Sequence, residues 1–323
     1  MTPSTAYLLR RLAFLALLVF LVSSASMLLA RLAPGDATVE AVGQGATTAD
    51  IQRERERLGL TQGLGASYAG WLSRAVRLDF GESFRYGRPV LPLVAERAAN
   101  TTLLGIAALA LATLVGLPLG IAGAGRRGEF GRLLVLLATV ALSLPPLVLS
   151  IALAWLAART GWLPVGGMTS AGLDQAGASA RAVDLARHMV VPALALAIPL
   201  AATLERLQSR AMTRALSAPW ILAAQARGIP AGRLRWVHAA SVAAGPVIAV
   251  YGLLAGSVLS GSFAVEIVTA WPGLGRLMYE ALLARDVNLV AGCAAATATC
   301  VAAGTLLADA ALAWIDPRTV EAP

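Results

Sequence analysis

The sequence predicts an all-α, polytopic membrane protein with six transmembrane helices, and three observations carry that prediction. Of its 323 residues 58% are hydrophobic and 14% charged, with a mean hydropathy of +0.71. That leaves too little polar surface for a chain folding in water. The apolar residues gather into uncharged runs close to the ~20 residues a helix needs to cross ~30 Å of hydrocarbon. The 26 basic residues, every one an arginine, flank those runs, and beyond the long connection 33–100, which largely escapes the charge rule, they cluster in short connections on one side.

Six runs qualify: residues 12–30, 101–125, 133–158, 189–204, 239–265 and 287–308, the last continuing past Asp309 to Ile315. The first follows Arg10 and Arg11 and could pass for a secretory leader ending in "SSAS". "MLLARL" carries it to Leu32, beyond a leader's apolar core, so a retained helix is expected, stopped by Pro34 and Gly35 in "APGD". The connection that follows, residues 33–100, has helical signals of its own. "TTADIQRERERLGL" offers Thr48 as N-cap and Gly59 as stop around charges that pair at helical spacing. "SYAGWLSRAVRLDFG" puts Tyr68, Trp71, Leu72, Ala75 and Leu78 on one stripe, opposite Arg74 and Arg77. "RPVLPLVAERAANT" reads as an interfacial elbow, with Asn100 or Thr101 capping the second span.

Inside the spans, Gly116, Gly120, Gly123 and the pair Pro145-Pro146 mark either bends or close helix packing. The fourth run has only 16 residues and needs Arg187 and Arg206 to extend their stems toward the interfaces. In the fifth, Gly252, Gly256 and Ser260 recur every four residues, a ridge on which another helix can pack. Ser257, Ser260, Ser262 and Glu266 add polarity there, either lining a water-filled path or belonging to that packing, with Glu266 expected at the outer rim.

Orientation follows from the arginines. Arg10 and Arg11, then Arg126, Arg127 and Arg132, then Arg210, Arg214, Arg227, Arg233 and Arg235 fall on one side when six spans alternate. Excess arginine marks the cytoplasmic side, so both termini are expected there. The chain then divides into an N-terminal helix (1–32), an extracytoplasmic loop (33–100), a five-helix core (101–315) with a cytoplasmic loop at 207–239, and a tail (316–323).

Several functions are excluded. With no lysine, the chain has neither a phosphate-cradling Walker A loop nor a Schiff-base residue. It has no HExxH or GxSxG motif, so no catalytic residue is expected. Cys293 and Cys300 stand seven residues apart, about 10.5 Å along a helix and too far for a disulfide. With only His188 and His238 besides, no metal-ligand spacing appears and no metal or cofactor is expected in the chain. The net charge of +8 is explained by arginines flanking lipid-embedded spans, without nucleic acid.

One stretch is left unexplained by membrane insertion. "SAPWILAAQARGIPAGRLRWVHA" reads as a helix from Pro219, a break at Gly228-Ile229-Pro230, and a second short helix with Arg233, Arg235 and His238 on its polar side. Its small face of Ala223, Ala224 and Ala226 suits close contact with a partner. The stretch resembles the EAA loop of ABC importer permeases, in which Glu-Ala-Ala is followed three residues later by Gly. Here Leu222, Ala223, Ala224 and Gly228 take those places, with Leu222 where the general pattern has Glu, as is usual in the peptide-transport branch. "LARLAPGDA", "LDFGESFRYGRPV", "AWPGLGRLMYEALLARD" and "DPRTV" likewise resemble the membrane subunits of dipeptide, oligopeptide and nickel importers.

That resemblance implies a type I importer fold in the bacterial inner membrane, whose spans carry short peptides across by alternating access. It implies as partners a second homologous permease, two cytoplasmic ATPases that bind ATP and Mg, and an extracytoplasmic solute-binding protein. Residues Ala223, Ala224, Gly228, Ile229, Pro230, Arg233 and Arg235 would then dock on an ATPase. Nickel or a metal chelate is the alternative cargo. An ATP-independent transporter is the alternative class, disfavoured because the spans hold almost no acidic residue for ion coupling.

Overall fold

A computed structural model describes residues 3–32, 49, 52–53, 63–125, 128–173 and 177–315. The "APGD" stop, the "DPRTV" tail, Arg126–Arg127 and most of the helix expected from Thr48 lie outside them; of that helix Ala49, Gln52 and Arg53 are described and are helical. Among the described residues the structure is helical, with one isolated bridge between Glu82 and Pro89. The chain forms two compact units, residues 1–101 with 272–302, and residues 102–271 with 303–323. Residues 272–302, part of the expected five-helix core, fall in the first of these units.

Among the described residues five helices are long and apolar enough to cross a membrane, and a sixth crossing is counted if one bent pair acts as a single span. Their outward apolar side chains, such as Phe14, Leu29, Leu114 and Leu136, are exposed, as hydrocarbon requires.

In the first unit, α1 (Pro3–Leu32) pairs with α2 (Leu64–Ala75). Trp71 packs with Met27, the Tyr68 hydroxyl donates to Ser24 at 3.0 Å, and Arg31 donates to Ser67 at 2.7 Å. Leu78 leaves the expected stripe: α2 stops at Ala75, and Leu78 turns out with φ +61° and 64% exposure. The loop 79–89 folds back onto the start of α12 (Val287–Ile315). There Asp286, fully buried, accepts from Ser83 Oγ at 2.6 Å, Arg85 N at 3.2 Å and Leu289 N at 3.0 Å. The last of these bonds caps α12. Beside it Tyr86 donates to Glu280 of α11 (Leu274–Leu283), which also accepts from Arg276 at 3.0 Å. Burial pushes the Tyr86 hydroxyl up, and its bond to Glu280 adds to that. Burial also pushes Glu280 up, but the bonds from Tyr86 and Arg276 and the attraction of Arg276 and Arg85 outweigh it and leave it lowered.

The elbow and second span are one helix, α3 (Val90–Gly123). Asn100 and Thr101 therefore cap nothing in α3. Asn100 donates to the Pro272 carbonyl at 2.8 Å, and Thr101 accepts from Leu274 N at 2.8 Å, so both secure the start of α11 instead.

The second unit corrects three of the expected spans. The third is not straight: α4 (Glu129–Ser143) and α5 (Pro146–Thr160) meet at 98°. Leu144 and Pro145 each precede a proline and are both extended, ψ 113° and 146°, which ends one helix and starts the next at Pro146. The fourth is not short, because residues 189–204 lie inside α6 (Ala178–Leu216), 39 residues long. Arg187 donates to the Trp162 carbonyl at 3.2 Å and Arg206 to Thr139 Oγ1 at 2.6 Å, so neighbouring elements hold both. The fifth is broken: α9 (Ala240–Ile248) and α10 (Tyr251–Val268) are separated at Ala249 and Val250. Pro246 has no N–H to donate, and a tightened bond from Val250 N to Val247 O, 3.1 Å, makes the joint.

Around α6 gather α4, α5, α9 and α10, over a core that includes Leu104, Leu196, Leu204, Met212, Val258 and Trp271. Glycines permit the closest approaches. A Cβ on Gly116 would lie 2.5 Å from the Ala201 carbonyl, and one on Gly120 would lie 2.7 Å from the Glu205 carbonyl. Gly252 of the expected ridge meets Ala308 and Thr305, while Gly256 faces open space.

Candidate functional site

The turn singled out in the sequence forms the link between α6 and α9. After Ser217, Ala218 is extended and Pro219 opens α7 (Pro219–Ala226), where its missing N–H costs no bond. α7 ends in a Schellman motif. Gly228 N donates to Gln225 O at 2.9 Å and Ile229 N to Ala224 O at 3.2 Å. Gly228 holds the left-handed conformation the motif demands, φ +80°. Ile229 is half-buried against the cluster containing Ala224, supplying the apolar contact that accompanies such caps. Pro230 then starts α8 (Ala231–Arg233), which runs through a π-helical stretch, Leu234–Ala239, into α9.

The small alanine face is split. Ala224 is buried with Ile221 and Leu234 in the chain's own core, whereas Ala223 and Ala226 are exposed. Periodicity could not separate them, because a short helix buries only the residues that point at its own scaffold. The outward apolar surface belongs instead to Leu222, 70% exposed, with Trp220, Trp236 and Val237 also open. Arg227, Gly228, Pro230 and Arg233 are exposed beside them.

Arg235 departs from the expected exposed polar face. Its Nη1 donates to the carbonyls of Ile121, Ala122 and Ala124 at 2.8, 3.1 and 3.0 Å. The first two are carbonyls of the last turn of α3, which have no helical partner and carry the negative end of its dipole, and the third lies just past its end. The side chain is thus a cap tying the turn to α3. Arg235→Ala should lower the melting temperature by the equivalent of about 2 kcal/mol, and Arg233→Ala by less than about 1 kcal/mol, in thermal unfolding of the detergent-solubilised protein. Equal effects would remove the distinction between a cap and an exposed charge.

The four polar residues of the fifth span do not share a face. Ser257 and Ser260 are exposed on one side of α10, while Ser262 and Glu266 are buried on the other, Glu266 fully. Glu266 is therefore not a solvent-facing rim residue. Ser262 donates to Leu259 O at 3.0 Å, as a hydroxyl inside a helix commonly does. The sequence also gave no sign of the buried Asp286 cluster, whose members are some 200 residues apart.

The fold and this turn define a multi-pass helical membrane subunit that displays a short helix-turn-helix between two of its spans. Comparison with known proteins gives it a family. The model for the binding-protein-dependent transport system inner membrane component matches residues 116–321, and the corresponding N-terminal model matches residues 4–105. The chain belongs to that family. It is 30% identical over 318 residues to the oligopeptide transport system permease protein AppB of Bacillus subtilis, covering 97% of this chain and 98% of that one. It is 32% identical over 314 residues to the probable peptide ABC transporter permease protein y4tP of Sinorhizobium fredii, covering 97% and 98%. It is 34% identical over 278 residues to the putative peptide permease protein BOV_A0351 of Brucella ovis, covering 84% and 85%. It is accordingly a membrane permease of the ABC importer class.

Proposed function

We propose that this subunit forms half of the path by which an ATP-driven, binding-protein-dependent importer moves short peptides inward by alternating access. The observation that carries the reading is the turn itself. A glycine-capped helix with Leu222 70% exposed projects from the end of the 39-residue α6, a shape suited to a groove on a partner. Each of two cytoplasmic ATPases would hold such a turn, one from this chain and one from a homologous permease, and ATP with Mg would bind there. Ser257 and Ser260, open on α10, are the residues of the fifth span best placed to line the path. The peptide cargo rests on the printed names of the relatives. In proteoliposomes containing both permeases and both ATPases, loaded binding protein and ATP should drive uptake of labelled di- to pentapeptides. Liposomes lacking the ATPases should take up none, and uptake of nickel with no uptake of peptide would overturn the cargo.

The arginine distribution supports cytoplasmic termini. Single cysteines replacing Gly128 and Ser217, both exposed, should then be protected from an impermeant thiol reagent in spheroplasts, while one replacing exposed Arg88 should label. Ser83 lies in the same outer loop but is 1% exposed and would report burial, not topology. The reverse labelling pattern would invert the orientation.

A further inference from the structure

Where α9 packs along the last turns of α6, the two helices enclose one side of an open cavity of about 570 Å³. Its polar wall is Ser209, Arg210, Thr213 and Arg214, and its apolar wall is Leu207, Pro246 and Val247. Both arginines are exposed, and among the described residues no salt bridge is found to either. Arg210 and Arg214 are four residues apart on α6, hence on one face and about 6 Å apart along the axis. Helical side chains lean toward the N-terminus, so both reach back toward the apolar stretch that ends at Leu204. Thr213 spends its proton on the Ser209 carbonyl at 2.8 Å, which leaves the two arginines as the main free donors.

The geometry points to a binding site for the headgroup of one anionic phospholipid of the cytoplasmic leaflet, with Arg210 and Arg214 gripping the phosphodiester and Leu207, Pro246 and Val247 bearing the first acyl carbons. Planar guanidinium forks match phosphate oxygens. A basic pocket between spans at the cytoplasmic side is where an anionic lipid gains most from the arrangement. The volume falls in the range of ordinary ligand sites. A free phosphate ion shares the headgroup's chemistry but has no use for the apolar wall, which favours the lipid. This inference rests on the proposed orientation for its choice of leaflet only.

The test uses the complete transporter, both permeases with both ATPases, in nanodiscs of phosphatidylcholine doped with phosphatidylglycerol, then detergent-washed for native mass spectrometry. The assembly carrying this chain unaltered should retain phosphatidylglycerol about thirtyfold more strongly than the Arg210→Gln/Arg214→Gln form. Phosphatidylcholine should not be retained, and millimolar inorganic phosphate should not displace the lipid. The doubly substituted Lys form, which keeps charge but not the forks, should fall between. Equal retention by the Gln form, equal retention of phosphatidylcholine, displacement by inorganic phosphate, or no lipid on the assembly because a partner subunit covers the cavity would each overturn the site. The cysteine labelling above reads the orientation independently. Arginine-dependent retention with external labelling at Ser217 would keep the headgroup site and move it to the other leaflet.

Discussion

Uptake should fall at least tenfold in Gly228→Arg, while the protein still inserts in the membrane. Gly228 sits at φ +80°, a conformation that costs an L-residue about 1–2 kcal/mol, enough for a tenfold shift in how often the turn holds its shape. A Cβ there meets no atom of the chain within 4 Å, so the chain itself has room for the arginine, and its bulk should be felt by whatever docks on the exposed turn. Insertion is spared because the change lies outside every candidate span of α10, α12 and α3 and leaves the buried anchors Ile221 and Ala224 in place. Gly228→Ala, which carries the strain without the bulk, should lose only part of the uptake. The measurement is peptide uptake in membranes together with pull-down of the ATPases and their stimulation by loaded binding protein. Normal uptake and ATPase capture in Gly228→Arg would remove the turn from the coupling machinery.

Asp286→Ala should destabilise the protein by about 3 kcal/mol or more. Three donors converge on this carboxyl group in a fully buried setting, and its removal leaves the Ser83 hydroxyl and the Arg85 and Leu289 amides without their acceptor. Ser83→Ala, which removes one donor and keeps the acceptor, should cost about 1 kcal/mol. Thermal unfolding in detergent and protease cleavage within residues 79–89 read the difference. An unchanged melt for Asp286→Ala would show that the loop is held by other contacts.

The existence of the spans was legible because hydrocarbon selects for long uncharged runs, and the turn after α6 was legible because proline and glycine punctuate it. What stayed hidden were features fixed by partners distant in sequence. Arg235 looks like any exposed basic residue until α3 brings its last carbonyls to within 3.1 Å. Ala224 cannot be told from Ala223 until the core decides which of them it takes. The apolar run 133–158 gave no sign that Pro145-Pro146 would turn the chain by 98° and not merely kink it, since both outcomes obey the same local rule. Charges limit the apolar run 189–204 but not α6 itself, because a helix continues through any residue that solvent or a neighbour can satisfy.

α6 has a mechanical meaning beyond its packing. At 1.5 Å per residue, its 39 residues make a rod of about 58 Å, with Asp184 near one end fastened to the Ser170 amide and hydroxyl at 2.7 and 2.6 Å. The other end carries the glycine-capped turn. A pivot of about 10° at the midpoint swings each tip through about 5 Å, in opposite directions. If a partner moves the turn, as proposed above, the Ser170 loop at the far end of the same helix would move with it. Pro192 and Pro199 each remove one bond from the ladder of this helix, and a load on the rod would bend it there first.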